Sequence, residues 1–205
     1  MLKQNDNGSI LDVFKWHMSS APVDVFELAR DLDIIIKEEK LGSEISGSIE
    51  SIGDRFKITV NQADSNNRKR FTVAHELGHF MLHSRLINSG ITDNKLYRSY
   101  DDRKNKKVCS HHETEANTFA ANLLMPEKLI EDLYSKNQHI SNSELAARLG
   151  VSEQALTIRL ESLSRNKILR DSAESMEARR ATAAQDMLLV VEQTARRVFY
   201  FPPYI

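Results

Sequence analysis

Apolar residues at helical spacing dominate two stretches of this chain. In Arg70–His83 the residues Phe71, Ala74, Leu77 and Met81 recur three or four apart, which predicts a helix with one buried stripe. In His111–Met125 the residues Ala116, Phe119, Ala120, Leu123 and Leu124 do the same, and Pro126 ends the run because a residue before proline is pushed out of the helical region. Upstream, Ile10–Met18 and Val23–Leu32 read as shorter helices, the second with Pro22 at its start and Val25, Leu28, Ala29 and Leu32 on one side, packed against the Arg70–His83 helix. Between these helical stretches the period changes. Asp33–Lys37, Gly47–Ser51 and Phe56–Val60 are rich in β-branched residues, and Ile52–Arg55 has the composition of a turn, so a small, mostly antiparallel sheet is expected.

Residues 84–112 lack a strong period and are rich in Ser, Asn, Asp, Lys and Arg. They read as a long connection that covers a cleft, with Leu96–Arg98 as an anchored strand and Asp101–Lys107 as an exposed tip. Beyond Pro126, Leu129, Ile130 and Leu133 mark a helix over Glu127–Asn137. Ser141–Leu160 then presents a capped helix, a turn at Gly150 and a second helix capped by Ser152, the outline of a helix-turn-helix. Residues 171–205 change again, to an Ala-, Glu- and Arg-rich amphipathic stretch ending in the aromatic tail Phe199–Ile205. The domain divisions that follow are 1–137, 138–170 and 171–205.

The chemistry sits in the first helix. His75-Glu76-Leu77-Gly78-His79 puts two imidazoles one turn apart on one face, able to reach one zinc ion, with Glu76 beside them able to take a proton from an attacking water. Gly78 in mid-helix costs about 1 kcal/mol relative to alanine, so a metal or another backbone is expected to pass close. Catalytic zinc takes three protein ligands. Glu113 is the first choice for the third and Glu115 the alternative, while Asn117, four residues beyond Glu113, could hold a zinc-bound histidine by its second nitrogen. His83 prolongs the histidine face, and it or Tyr97, His111 or His112 could supply a donor to the tetrahedral intermediate.

The pair RFTVAHELGHFMLH and ETEANTFAANLLMP resembles the ImmA/IrrE family of zinc metallopeptidases, over about residues 20–165. The resemblance implies an α+β, zincin-like domain with an HExxH helix, followed by a helix-turn-helix-like module. His75, His79 and Glu113 match the family's zinc ligands, and Glu76 matches its catalytic glutamate. It further implies a protein substrate, a helix-turn-helix repressor, inactivated by site-specific cleavage or held without cleavage.

Composition narrows the alternatives. A formal net charge of −1 gives no global attraction to nucleic acid or anionic membrane. DNA binding by residues 141–165 is not favoured, because Gln154, Thr157, Arg159 and Arg165 are offset by Glu153 and Glu161. Arg68-Lys69-Arg70 reads as a solvated basic cluster. The single cysteine, Cys109, rules out an internal disulfide and fits a reducing compartment. No stretch approaches the ~20 apolar residues of a membrane span, and the N-terminus has no signal-like apolar run. The expectation is a cytoplasmic protein.

Overall fold

The computed structural model describes residues 9–88 and 103–172. Its elements run α1 (Ile10–His17), α2 (Val25–Asp31), β1 (Ile34–Glu39), β2 (Gly47–Ile52), β3 (Arg55–Asn61), α3 (Asn66–Asn88), α4 (Arg103–Leu124), α5 (Glu127–Lys136), α6 (Asn142–Leu149) and α7 (Glu153–Ser172). The class is α+β. Tyr97, the Leu96–Arg98 strand and the tail from residue 173 onward lie outside the described residues.

Asp24 fixes the start of α2 by accepting from the amides of Phe26 and Glu27 at 3.0 and 2.9 Å, so the helix begins later than Pro22 suggests. Asp33 turns the chain from α2 into β1 with φ +59°, a conformation Asp tolerates better than most residues, which delays the strand to Ile34.

The sheet corrects the antiparallel expectation. Its order is β1-β3-β2, with β2 antiparallel and β1 parallel to β3. The physical reason lies in the connection. β1 ends level with Asn61, where β2 begins opposite Val60, so residues 40–46 cross over the end of β3 from one edge to the other. Asn61, buried at that end, holds the crossing. Its Nδ2 donates to the carbonyls of Gly42 and Ile45 at 3.3 and 2.9 Å, and its Oδ1 accepts from the Leu41 and Ala63 amides. An asparagine that replaces backbone partners in this way leaves no trace in periodicity.

α3 lies against the sheet and against α4. Ala74, Leu77 and Met81 are buried as the stripe requires, joined by Val73 and Phe80, while Phe71 is half-buried. Burial of each large apolar side chain here stabilises the fold by roughly 1.5–3 kcal/mol. The expected loop over 84–112 is corrected at both ends, since α3 continues past an interruption at His83 to Asn88 and α4 already begins at Arg103. At the start of α4 Lys and Arg favour helix without giving any apolar period, and at the end of α3 the interruption at His83 breaks the phase, so periodicity alone missed these turns.

The basic cluster lies within the first turns of α3, where Arg68 stays exposed while Lys69 and Arg70 are partly buried and all three are engaged. Arg68 donates to Ser46 Oγ at 2.8 Å, Lys69 pairs with Glu38 at 2.7 Å, and Arg70 donates to the carbonyls of Val23 and Gly150 at 2.8 and 3.0 Å. Asn67 adds a bond to the Val151 carbonyl at 3.0 Å. Burial lowers the Arg70 pKa from its ordinary value, and Asp24 partly offsets this. The turn between α6 and α7 is thereby fastened to the start of α3. Gly150 occupies that turn at φ +65°, and a Cβ there would stand 2.9 Å from Arg70 Nε.

Gly78 is where α3 and α4 meet. A Cβ on it would lie 3.0 Å from Ala116 Cα, 3.1 Å from its carbonyl oxygen and 3.2 Å from Phe119 Cβ. The expected passage of another backbone is therefore the passage of α4. Gly78→Val is expected to lower unfolding free energy by about 1–3 kcal/mol through overpacking, seen as a lower urea midpoint. An unchanged midpoint would mean that the helices do not meet there.

Candidate functional site

The α3–α4 contact brings two helix faces together. His75 and His79 project from α3, and Glu113 and Asn117 project from α4. One ligand atom from each of His75, His79 and Glu113 lies within 4.8 Å of the others, a grouping able to hold a metal ion. The two Nε2 atoms are 3.0 Å apart, and each lies 3.3 Å from an oxygen of Glu113. Two ligand atoms on one tetrahedral zinc at about 2.0–2.1 Å stand roughly 3.3 Å apart. The donor set and its spacing therefore fit such an ion.

Each histidine is oriented through its other nitrogen. Asn117 Oδ1 accepts from His75 Nδ1 at 3.0 Å, which leaves Nε2 as the lone-pair atom facing Glu113. His79 Nδ1 faces His83 Nδ1 at 3.1 Å, and His83 Nε2 reaches Glu115 Oε2 at 3.0 Å. Burial would raise the Glu113 carboxyl, but its pairing with the imidazoles of His75 and His79 outweighs this and holds the group far below the usual carboxylate range. A carboxylate that stays ionised is suited to a cation. His83 is lowered, first by its burial and against the pull of Glu115, so its neutral form is favoured.

The two acidic alternatives on α4 are thus separated by geometry. Glu113 joins His75 and His79, whereas Glu115 turns to His83 and, at 3.2 Å, to the exposed His111. His111 and His112 do not line the cleft described next, and neither does His83.

A cleft of about 880 Å³ opens over His75, Glu76, Glu113 and Asn117. Glu76 is 3% exposed and sits at its inner surface. One wall is residues 44–47, leading into the edge strand β2. The other is the start of α7, with Val151, Gln154, Ala155 and Ile158. This second wall was not legible in the sequence as part of the site, because the helix-turn-helix outline says nothing of where that module docks. Ile158, 57% exposed, is an apolar side chain left at the surface of this wall.

The model of the IrrE N-terminal-like domain, of the M78 peptidases, matches residues 29–161. "Uncharacterized immunity region protein 2" of Bacillus phage phi105 is 29% identical over 126 residues, 62% of this chain and 72% of that protein. Metallopeptidase ImmA of Bacillus subtilis is 25% identical over 144 residues, 69% of this chain and 76% of its own length. Radiation response metalloprotease IrrE of Deinococcus deserti is 34% identical over 97 residues, which are 46% of this chain but 32% of that protein.

Loss of the Asn117 acceptor tests the orientation of His75. Asn117→Leu is expected to weaken metal binding by about tenfold to a hundredfold, measured by competition against a chelator in a chain whose helical circular dichroism is unchanged. Equal affinity in both chains would show that the bond to His75 does not set its ligand geometry.

Proposed function

This chain belongs to the IrrE N-terminal-like family of M78 metallopeptidases, and on that footing we propose that it is a zinc-dependent endopeptidase using His75, His79, Glu113 and Glu76. The observation that supports the reading is the convergence of two Nε2 atoms and the Glu113 carboxylate beside a cleft that His75, Glu113 and the buried Glu76 line. When bound, zinc lowers the pKa of a water to about 7 and polarises a carbonyl oxygen. His75, His79 and Glu113 hold the ion. Glu76 takes the proton of the attacking water as the new C–O bond forms, and returns it to the departing amine as the peptide C–N bond breaks. No covalent enzyme intermediate is required, and Asn117 keeps His75 in its ligand tautomer throughout.

The substrate is a protein segment in extended form. β2 is an edge strand whose first residue, Gly47, lies at the cleft, so its backbone is suited to pair with such a segment. The proposed natural substrate is a helix-turn-helix repressor, which rests on the family resemblance. No helix among the described residues is long and apolar enough to cross a membrane, which is compatible with a repressor met in the cytoplasm.

One observation bears on the alternative of a DNA-binding regulator. In α7, Gln154 and Ile158 line the cleft, Arg159 donates to the Met125 carbonyl at 3.1 Å and Thr157 Oγ1 to its own helix at 2.9 Å. Side chains so engaged are poorly placed to read a groove. The helix-turn-helix-like module is better understood as a wall for substrate.

Glu76→Gln separates catalysis from holding. Cleavage of a repressor substrate is expected to fall by on the order of 10²–10⁴-fold, with zinc content unchanged, measured by mass spectrometry of the products. Undiminished cleavage would remove Glu76 from the proton path. Tight repressor binding by both forms without cleavage by either would favour a non-catalytic anti-repressor.

A further inference from the structure

A second cluster with the same donor chemistry adjoins the first. His83, at the interruption of α3, meets His112 and Glu115, which are three residues apart on α4. One ligand atom from each lies within 4.8 Å of the others. His83 is 8% exposed, with Nε2 3.0 Å from Glu115 Oε2, and its ring centroid is 4.3 Å from that of His112. The Nδ1 atom of His112 is buried and has no hydrogen-bond partner. A buried ring nitrogen in that condition calls for an explanation, and a bound ion supplies one. Two imidazoles and a carboxylate suit zinc or a related transition ion.

We propose that His83, His112 and Glu115 form a second transition-metal site, and that filling it opposes metal binding at His75, His79 and Glu113. The antagonism follows from proton placement on two rings. For His79 Nε2 to offer a lone pair, the ring proton must sit on Nδ1, where it is donated to His83 Nδ1 at 3.1 Å. His83 then carries its own proton on Nε2, directed at Glu115. An ion bound at Nε2 of His83 displaces that proton to Nδ1. Two N–H groups then face each other, and the bond that orients His79 is lost. Linkage makes the effect reciprocal, so each ion weakens the other, here by about tenfold, within the usual range of coupling between sites. This antagonism rests on the assignment of His79 as a ligand; the second site itself does not.

The test is a zinc titration of the metal-stripped full chain, with bound metal counted by equilibrium dialysis. The native chain is expected to take two equivalents, the second more weakly, and His112→Ala only one. His75→Ala is expected to take one equivalent, with higher affinity than the native second site, and the double variant none. Exchange of the first ion, followed with a zinc isotope, should quicken about tenfold once the second equivalent binds. His111→Ala, which removes an exposed neighbour, should still take two. Glu115→Gln repeats the His112→Ala result with little change of shape, should the alanine variant fail to fold. A single equivalent in the native chain, or two in both His112→Ala and Glu115→Gln, overturns the second site. Two equivalents that exchange independently overturn the antagonism. Two equivalents retained in His75→Ala, with one lost in His112→Ala, support the second site while removing His75 from the first.

Discussion

The close approach of α3 and α4 at Gly78 is the constraint on which the rest depends. With no side chain on Gly78, the backbone of Ala116 comes within van der Waals reach of where a Cβ would stand. At that separation residues one turn either side of the contact oppose each other across the seam. His75 and His79 meet Glu113 there, and Asn117 reaches back to His75. The same seam continues to His83, Glu115 and His112. Packing and chemistry share one interface, so a change in helix separation of a few tenths of an ångström acts on both.

Around that seam the fold builds a cleft from parts distant in sequence. The crossing held by Asn61 delivers residues 44–47 to one side, and Arg70 and Asn67 fasten the α6–α7 turn so that α7 forms the other. The guanidinium of Arg70 contributes by bonding to main-chain carbonyls from two separate segments, Val23 in one and Leu149 and Gly150 in the other. A helix-turn-helix outline has here been put to use as part of an enclosure.

Much of this was legible in the sequence, for identifiable reasons. The stripes of α3 and α4 could be read because both helices bury one face, and the histidine pair because a spacing of four sets both imidazoles on one face of a helix. Gly78 was legible as an anomaly, and its cause, α4, appears only in three dimensions. The choice between Glu113 and Glu115 rested on helical phase and resemblance, and in space the two carboxylates serve different histidines. What could not be read has a common character. The parallel pairing of β1, the engagement of Arg68–Arg70, the docking of α7 and the second histidine group all depend on hydrogen bonds and contacts between residues far apart in the chain. The helical turns over 84–88 and 103–110 were missed for a different reason, since the first follow an interruption of the helix at His83 and the second have a sequence rich in Lys and Arg with no apolar period.

The central claim is that His75, His79 and Glu113 share one metal ion. An anomalous-difference map of crystals of the zinc-loaded chain, collected at the zinc edge, addresses it directly. The account predicts a peak bonded to Nε2 of both histidines and to a Glu113 oxygen, each at about 2.0–2.2 Å, with Glu76 outside the coordination sphere. A zinc ion bonded by Glu115 in place of Glu113, or through only one of the two α3 histidines, would contradict it.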